Sequence, residues 1–275
     1  MRLGAGKRFV EADWKRRWAY ALLGEPHVPG WIRLQHVIRQ VQGLGFNGQP
    51  LRFLDAGCSR GDLSLYLAER HPSWSFLGVE LEPERVAMAE KIRRETGLVN
   101  VRYQVADLCA LPYENEFDLA VCSDVLEHIP DDRAAFASLV RALTPGGYLI
   151  VTTPSTPQPK HLWTVAWREK KTGFDPSEYG HVREGYSLDA LHAAFVAGGA
   201  DPVKLRYTYG PWGTLAFDLF FSIGDSKPNP LLFTGLYPLL KTFAWIDVHQ
   251  EPGQGAAVLG IARKPGGSTD EKREG

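Results

Sequence analysis

From residue 51 onward, short apolar runs alternate with helical patterns, and this alternation restricts the chain to a sheet crossed by packing helices. The candidate strands cover residues 51–56, 75–80, 101–106, 117–123 and 147–153. Helical patterns fall at 62–70, 83–95 and 131–143, the last halted by Thr144-Pro145-Gly146-Gly147. A Ser-capped helix over 187–196 and strands over 202–207 and 255–262 complete the pattern. The expectation is an α/β fold: a doubly wound, Rossmann-like seven-stranded sheet with helices on both faces.

Length and composition set the organisation. The 275 residues, 44% hydrophobic and 23% charged, suffice for one core domain with elaborations. Residues 1–45 read as an N-terminal helical cap, and 46–210 with 253–265 as the Rossmann-like domain. Residues 211–252 form an apolar insertion between the last two strands, and 266–275 a disordered tail rich in Gly, Lys and Glu. A net charge of −1 gives no global basic field for a phosphate backbone, which disfavours nucleic acid as a partner. Cys58, Cys109 and Cys122 lack zinc-ligand spacing and read as reduced thiols. Early charges at Arg2, Lys7, Arg8 and Glu11, and the lack of a span-length apolar run, point to the cytoplasm.

The chemistry-bearing residues sit where strands end. Asp55-Ala56-Gly57-Cys58-Ser59-Arg60-Gly61 takes the first strand through a Gly-punctuated loop into a helix, a turn that lets backbone approach a ligand, although tight geometry alone can demand both glycines. Glu80, 23 positions after Gly57 at the end of the second strand, has the reach to accept from both hydroxyls of a ribose, or to serve as a solvated cap. Asp107 ends the third strand, where a carboxylate can take an adenine amino group or cap a helix. The fourth strand delivers Ser123, Asp124, Glu127 and His128 to the same crevice.

Together Leu54-Asp55-Ala56-Gly57, Gly78-Val79-Glu80, Ala106-Asp107-Leu108, Asp124-Val125-Leu126-Glu127-His128 and Leu143-Thr144-Pro145-Gly146-Gly147 resemble the class I S-adenosylmethionine (SAM)-dependent methyltransferases, in particular the branch of ubiquinone-type and small-molecule O-methyltransferases. The resemblance spans about residues 50–155. It implies SAM as cofactor, S-adenosylhomocysteine as product and a small-molecule acceptor. By the family's pattern Asp55, Gly57, Cys58 and Gly61 would hold the methionine portion and Glu80 the ribose. Leu81, Ala106, Asp107 and Leu108 would frame the adenine, and Ser123 and Asp124 would border the crevice. One departure is Ser59, where the family usually has a middle glycine; Ser serves if its φ is negative or its hydroxyl bonds the cofactor. The dinucleotide fingerprint GxGxxG is absent from the loop, which argues against a dehydrogenase.

His128 and His181 are the candidate general bases, each weighed against a loop-anchoring role. The pair Glu127-His128 hints at the metal site of the small-RNA methyltransferases of this fold, but no second Glu/His set lies nearby in sequence, so no metal is expected. A SAM-binding scaffold without turnover and an aminopropyl transferase remain as rivals.

Between 211 and 248 lie 8 of the chain's 31 aromatics, which must bury against something. A lid over an apolar acceptor, a homodimer interface and a membrane surface are all open. In the N-terminal helix, Trp14 and Trp18 are expected in the core of a cap over the cofactor crevice, with Lys7, Arg8, Lys15, Arg16 and Arg17 solvated; the alternative is peripheral contact with a membrane's inner face. Arg33 or Trp31 is expected to approach the cofactor from this region. The acceptor is expected to be hydrophobic or amphiphilic.

Overall fold

The computed structural model describes residues 2–11, 13–46, 48–159, 180–222 and 230–266, with side chains of 222–234 excepted. The tail beyond 266 therefore lies outside the described residues. Seven strands form one sheet: β1 (Arg52–Ala56), β2 (Ser75–Glu80), β3 (Val101–Val105), β4 (Phe117–Ser123), β5 (Leu143–Pro154), β6 (Asp201–Thr208) and β7 (Ala257–Arg263). Their order is β3-β2-β1-β4-β5-β7-β6. β1 to β5 pair parallel, but β7 runs antiparallel to both β5 and β6, so the sheet is mixed rather than all parallel. The strand order reverses between β1 and β4, placing a ligand crevice at their carboxyl ends.

Alternation along each strand splits the core into two faces. Phe53, Val121 and Ile150 point to the face covered by α2 (Val28–Gly43), α3 (Asp62–Arg70) and α4 (Pro83–Thr96). Leu54, Ala120 and Val151 point to the face covered by α5 (Asp132–Ala142) and α6 (Leu188–Ala197). The helix expected to stop at Thr144-Pro145-Gly146-Gly147 ends at Ala142, and β5 already begins at Leu143, which pairs with Phe117. A register irregularity between Phe117 and Leu119 accommodates the Pro-Gly-Gly kink within the strand.

The insertion forms two helices, α7 (Pro211–Ser222) and α8 (Pro230–Val248). They bury Ala216, Phe220, Leu240, Ala244 and Val248 against Val28 and Ile32 of α2. Asp247 is the polar staple of this assembly. Its Oδ2 lies 3.0 Å from His36 Nε2, and its Oδ1 accepts from Gly213 N at 2.9 Å.

The N-terminus departs from expectation. α1 (Trp14–Leu23) buries none of its residues, and Trp14 and Trp18 are 65% and 62% exposed rather than core. Only ten residues long and flanked by Gly24, α1 is held at its start by the Asp13 cap, which accepts from Lys15 N at 2.7 Å. Lys7, expected in solvent, is instead buried between Glu25 and Asp62 of α3. Pro29 and Gly30 sit in the first turn of α2, where the missing proline N–H costs nothing.

Candidate functional site

The crevice is built from strand ends. Gly57 and Cys58 donate their backbone N–H groups to Val79 O at 2.8 and 2.9 Å, tying the β1 loop to β2. Gly57 has φ +75° and lies against the Val125 side chain, so a Cβ there would be both strained and blocked. Ser59 takes φ +49°, so the negative φ expected of a serine there is not found and a side chain sits in the left-handed region. Its Oγ accepts from Arg85 Nη1 at 3.3 Å, and its N–H donates to Glu80 Oε2 at 2.9 Å.

Glu80 is the best-organised carboxylate of the site. Besides Ser59 N on Oε2, Leu81 N and Glu82 N donate to Oε1 at 2.9 and 3.3 Å. Three backbone donors fix its orientation and leave lone pairs for a diol. Leu81 is 65% exposed and free to cover a flat ring. Asp107 uses Oδ1 to cap the short turn after β3, accepting from Cys109 N at 2.8 Å. Leu108 is buried beneath, and Ala106 donates to Glu80 O at 3.0 Å, joining the two carboxylate-bearing strand ends.

Asp55 lies under the loop. Its Oδ2 accepts from Ser64 N at 3.2 Å, and burial pushes its pKa up to about 6. Cys58 and Cys122 are buried, with burial raising both thiols; Cys109 is partly exposed, and the three are unpaired.

Arg33 reaches across from α2. Its Nη1 lies 2.6 Å from Asp124 Oδ2, and this carboxylate raises the guanidinium pKa against the opposing effect of burial. Arg33 Nε is buried without a partner among the described residues. A buried donor left open at the crevice fits the carboxylate of a methionine moiety. Asp124 itself has φ +51° and also accepts from Thr152 Oγ1 at 2.9 Å, while Ser123 Oγ lies 2.8 Å from that same hydroxyl. Trp31, the alternative to Arg33 in the expectation, lines a cavity with Tyr237 and Lys241.

Beyond Asp124 the short turn Leu126–His128 meets the segment from Gly180. Val182 N donates to Glu127 O at 2.9 Å, and Arg183 clasps Leu126 O and, at 3.1 Å, Pro130 O. The clasp sets the His128 and His181 rings edge to face, 4.7 Å apart. His128 Nδ1 lies 3.1 Å from Gly180 O, a contact made by the tautomer that carries its proton on Nδ1 and has Nε2 as the acceptor. Glu127 is buried; desolvation, then Asp124, raises its pKa to about 8. Ligand atoms of Glu127, His128 and His181 all lie within 4.8 Å of one another. The expectation of no metal rested on the lack of a nearby completing residue, and His181 supplies one from 53 positions downstream.

Sequence reasoning missed three contributors. Thr152 carries no motif of its own. Arg85 appears only as one of many surface charges. Tyr103 fills the space between Gly61 and Gly78, with its hydroxyl 3.1 Å from Ser64 Oγ. The two glycines, bare on the sides facing it, were the one available signal.

Comparison with known proteins agrees with this geometry. Residues 48–184 match the family described as a methyltransferase domain. The demethylmenaquinone methyltransferase of Thermus thermophilus is 33% identical over 131 residues, 47% of this chain and 59% of that protein. The ubiquinone biosynthesis O-methyltransferase of Colwellia psychrerythraea is 31% identical over 140 residues, 50% and 56% of the two. Through residues 48–184 the chain belongs to the SAM-dependent methyltransferases, whose cofactor is SAM. It spans between half and three fifths of the length of these curated relatives.

Solved structures share the fold. Phosphoethanolamine N-methyltransferase 2 of Haemonchus contortus, in complex with SAM, superposes with a TM-score of 0.59 at 18% identity, over 91% of this chain and 60% of that one. The [4+2]-cyclase SpnF gives 0.58 at 22% identity, over 85% and 81%. The second is a reminder that this fold does not by itself define a reaction.

Proposed function

We propose that the chain transfers the methyl group of SAM to a hydroxyl of a small hydrophobic or amphiphilic acceptor and releases S-adenosylhomocysteine. The observation that carries this reading is His128, which follows Asp124 just beyond the end of β4 and whose Nδ1 lies 3.1 Å from Gly180 O, so that the tautomer donating there has Nε2 as its proton acceptor. SAM's own residues in this reading are the Gly57–Gly61 loop and Arg33 for the methionine portion, Glu80 for the ribose, and Asp107 with Leu81 and Leu108 for the adenine. In-line attack forms the acceptor O–CH3 bond as the S–CH3 bond breaks; the sulfonium loses its charge and the hydroxyl proton passes to His128 Nε2. The protein's main contribution is alignment and exclusion of water.

The apolar helices α7 and α8 support a hydrophobic acceptor, as do the names of the relatives, which point to quinone biosynthesis. Trp14, Trp18 and Leu22, one turn apart along exposed α1 beside Lys15, Arg16 and Arg17, support peripheral contact with an anionic membrane. No helix among the described residues is long and apolar enough to cross one. A Trp18→Glu variant that sediments with anionic vesicles as the parent does would remove that contact; self-association covering the stripe would show as a dimer in size-exclusion chromatography.

One observation favours a second reading of the reaction. Glu127, His128 and His181 offer two imidazoles and a carboxylate, a donor set suited to zinc or a similar divalent ion. When bound, such an ion would lower the pKa of an acceptor hydroxyl.

The two readings separate in one set of assays with SAM and a catechol or hydroquinone probe. Under the base reading, His128→Ala slows turnover about 100-fold or more, His181→Ala has a smaller effect, and a chelator has none. Under the metal reading, both variants and the chelator abolish turnover. Unchanged turnover in both variants would remove the pair from the mechanism.

A further inference from the structure

Helix α2 has a second functional face. Arg33 turns toward Asp124, whereas Trp31 and Gln35, four residues apart and about 160–200° round the helix from Arg33, line a separate cavity of about 350 Å³. Other walls come from Arg2, Tyr66 and Arg70 of α3, and Tyr237 and Lys241 of α8. None of its lining residues is acidic, and three are cationic.

Lys241 is the unusual member. Its Nζ is buried and has no hydrogen-bond partner among the described residues. It sits 3.4 Å from the centroid of the Trp31 ring and 5.8 Å from that of Tyr237. Ring faces attract a cation but satisfy none of its three N–H donors. The carboxylate that acts on it, Glu25, is engaged by Lys7. Arg70, by contrast, is held over the Tyr66 ring at 3.6 Å and paired with Glu69.

We propose that this cavity is a second ligand site, taking the carboxylate or phosphate head of a small amphiphile on Lys241, with its apolar part against Trp31, Tyr237 and Leu3. The anion supplies the hydrogen-bond acceptor and the opposite charge that the lysine lacks. The proposal is independent of methyl transfer, because it rests on the face of α2 turned away from Arg33.

Burial pushes Lys241 down to about 7, opposed by Glu25; Arg2, Tyr66, Arg70 and Tyr237 are the other titratable groups of the cavity. A bound anion raises that pKa again, so binding takes up a proton and tightens between pH 8 and pH 6.

The test is titration calorimetry on the full chain saturated with S-adenosylhomocysteine, with the change in intrinsic tryptophan fluorescence, absent in a Trp31→Phe variant, as a second readout. Octyl phosphate and octanoate, below their micelle concentrations, are compared with octanol and inorganic phosphate. Both anionic amphiphiles should bind at least about tenfold tighter than octanol, and tighter than inorganic phosphate. Lys241→Met should lose about tenfold or more for both, with S-adenosylhomocysteine affinity unchanged as the check of folding, and Lys241→Arg should restore binding. Vesicles containing phosphatidic acid that compete with octyl phosphate would identify a lipid as the source of the head; failure to compete would identify a free metabolite. Equal affinity for octanol and octyl phosphate overturns the proposal, as does unchanged octyl phosphate affinity in Lys241→Met.

Discussion

Arg33 and Asp124 lie 91 positions apart in sequence, yet their Nη1 and Oδ2 atoms are 2.6 Å apart at the crevice. The carboxylate positions the guanidinium while leaving Nε, buried and without a partner among the described residues, open to a ligand. Replacement by Met should weaken S-adenosylhomocysteine binding by roughly 10- to 100-fold, the scale of a charge-assisted hydrogen bond. Calorimetry measures this directly; a change of less than twofold would remove Arg33 from the cofactor site.

Ser59 holds φ +49°, a conformation that costs an L-residue about 1 kcal/mol. Ser59→Gly should relieve it and raise the melting temperature by about 2–4 °C. A lower melting temperature would mean that the exposed bond from Arg85 outweighs the backbone relief.

Asp55, with its folded pKa near 6, binds a proton more readily in the folded than in the unfolded chain. Its burial therefore destabilises the protein fully above pH 6, and the penalty disappears as pH falls from 6 toward 4. Asp55→Asn keeps an acceptor for Ser64 N. At pH 7 it should be more stable by on the order of 2–3 kcal/mol, with the difference shrinking toward pH 4 in denaturant titrations. A gap independent of pH would refute this account.

Asp247 holds α8 to both α2 and α7 through His36 Nε2 and Gly213 N. Burial lowers the His36 pKa against the pull of Asp247, which favours the neutral ring donating from Nε2 to the carboxylate. Asp247→Ala should cost about 2–4 kcal/mol by leaving two buried donors unsatisfied. Urea unfolding would show it as a lowered midpoint at unchanged slope.

The strands, the crossover helices and the residues at the strand ends were legible because each is a local signal: an apolar run, a cap, a glycine beside a carboxylate. The Gly57 loop and Glu80 meet through backbone bonds that the strand order itself enforces. What escaped depends on contacts between distant segments. His181 joins Glu127 only because Arg183 and Val182 are anchored to the turn after β4. Trp14 and Trp18 read as core because aromatic residues usually are, and nothing local reveals that α1 stands clear of the sheet. The reversed direction of β7 was likewise invisible, since an apolar run has no preferred sense.

Helix α2 carries Arg33 toward the crevice and, one turn on, His36 toward Asp247 of α8. A molecule entering beneath α8 and pushing it outward therefore pulls on the same rod that holds Arg33. If SAM binds at Arg33 and the acceptor enters beneath α8, as proposed above, the two share one mechanical element, and each should alter the other's dissociation rate.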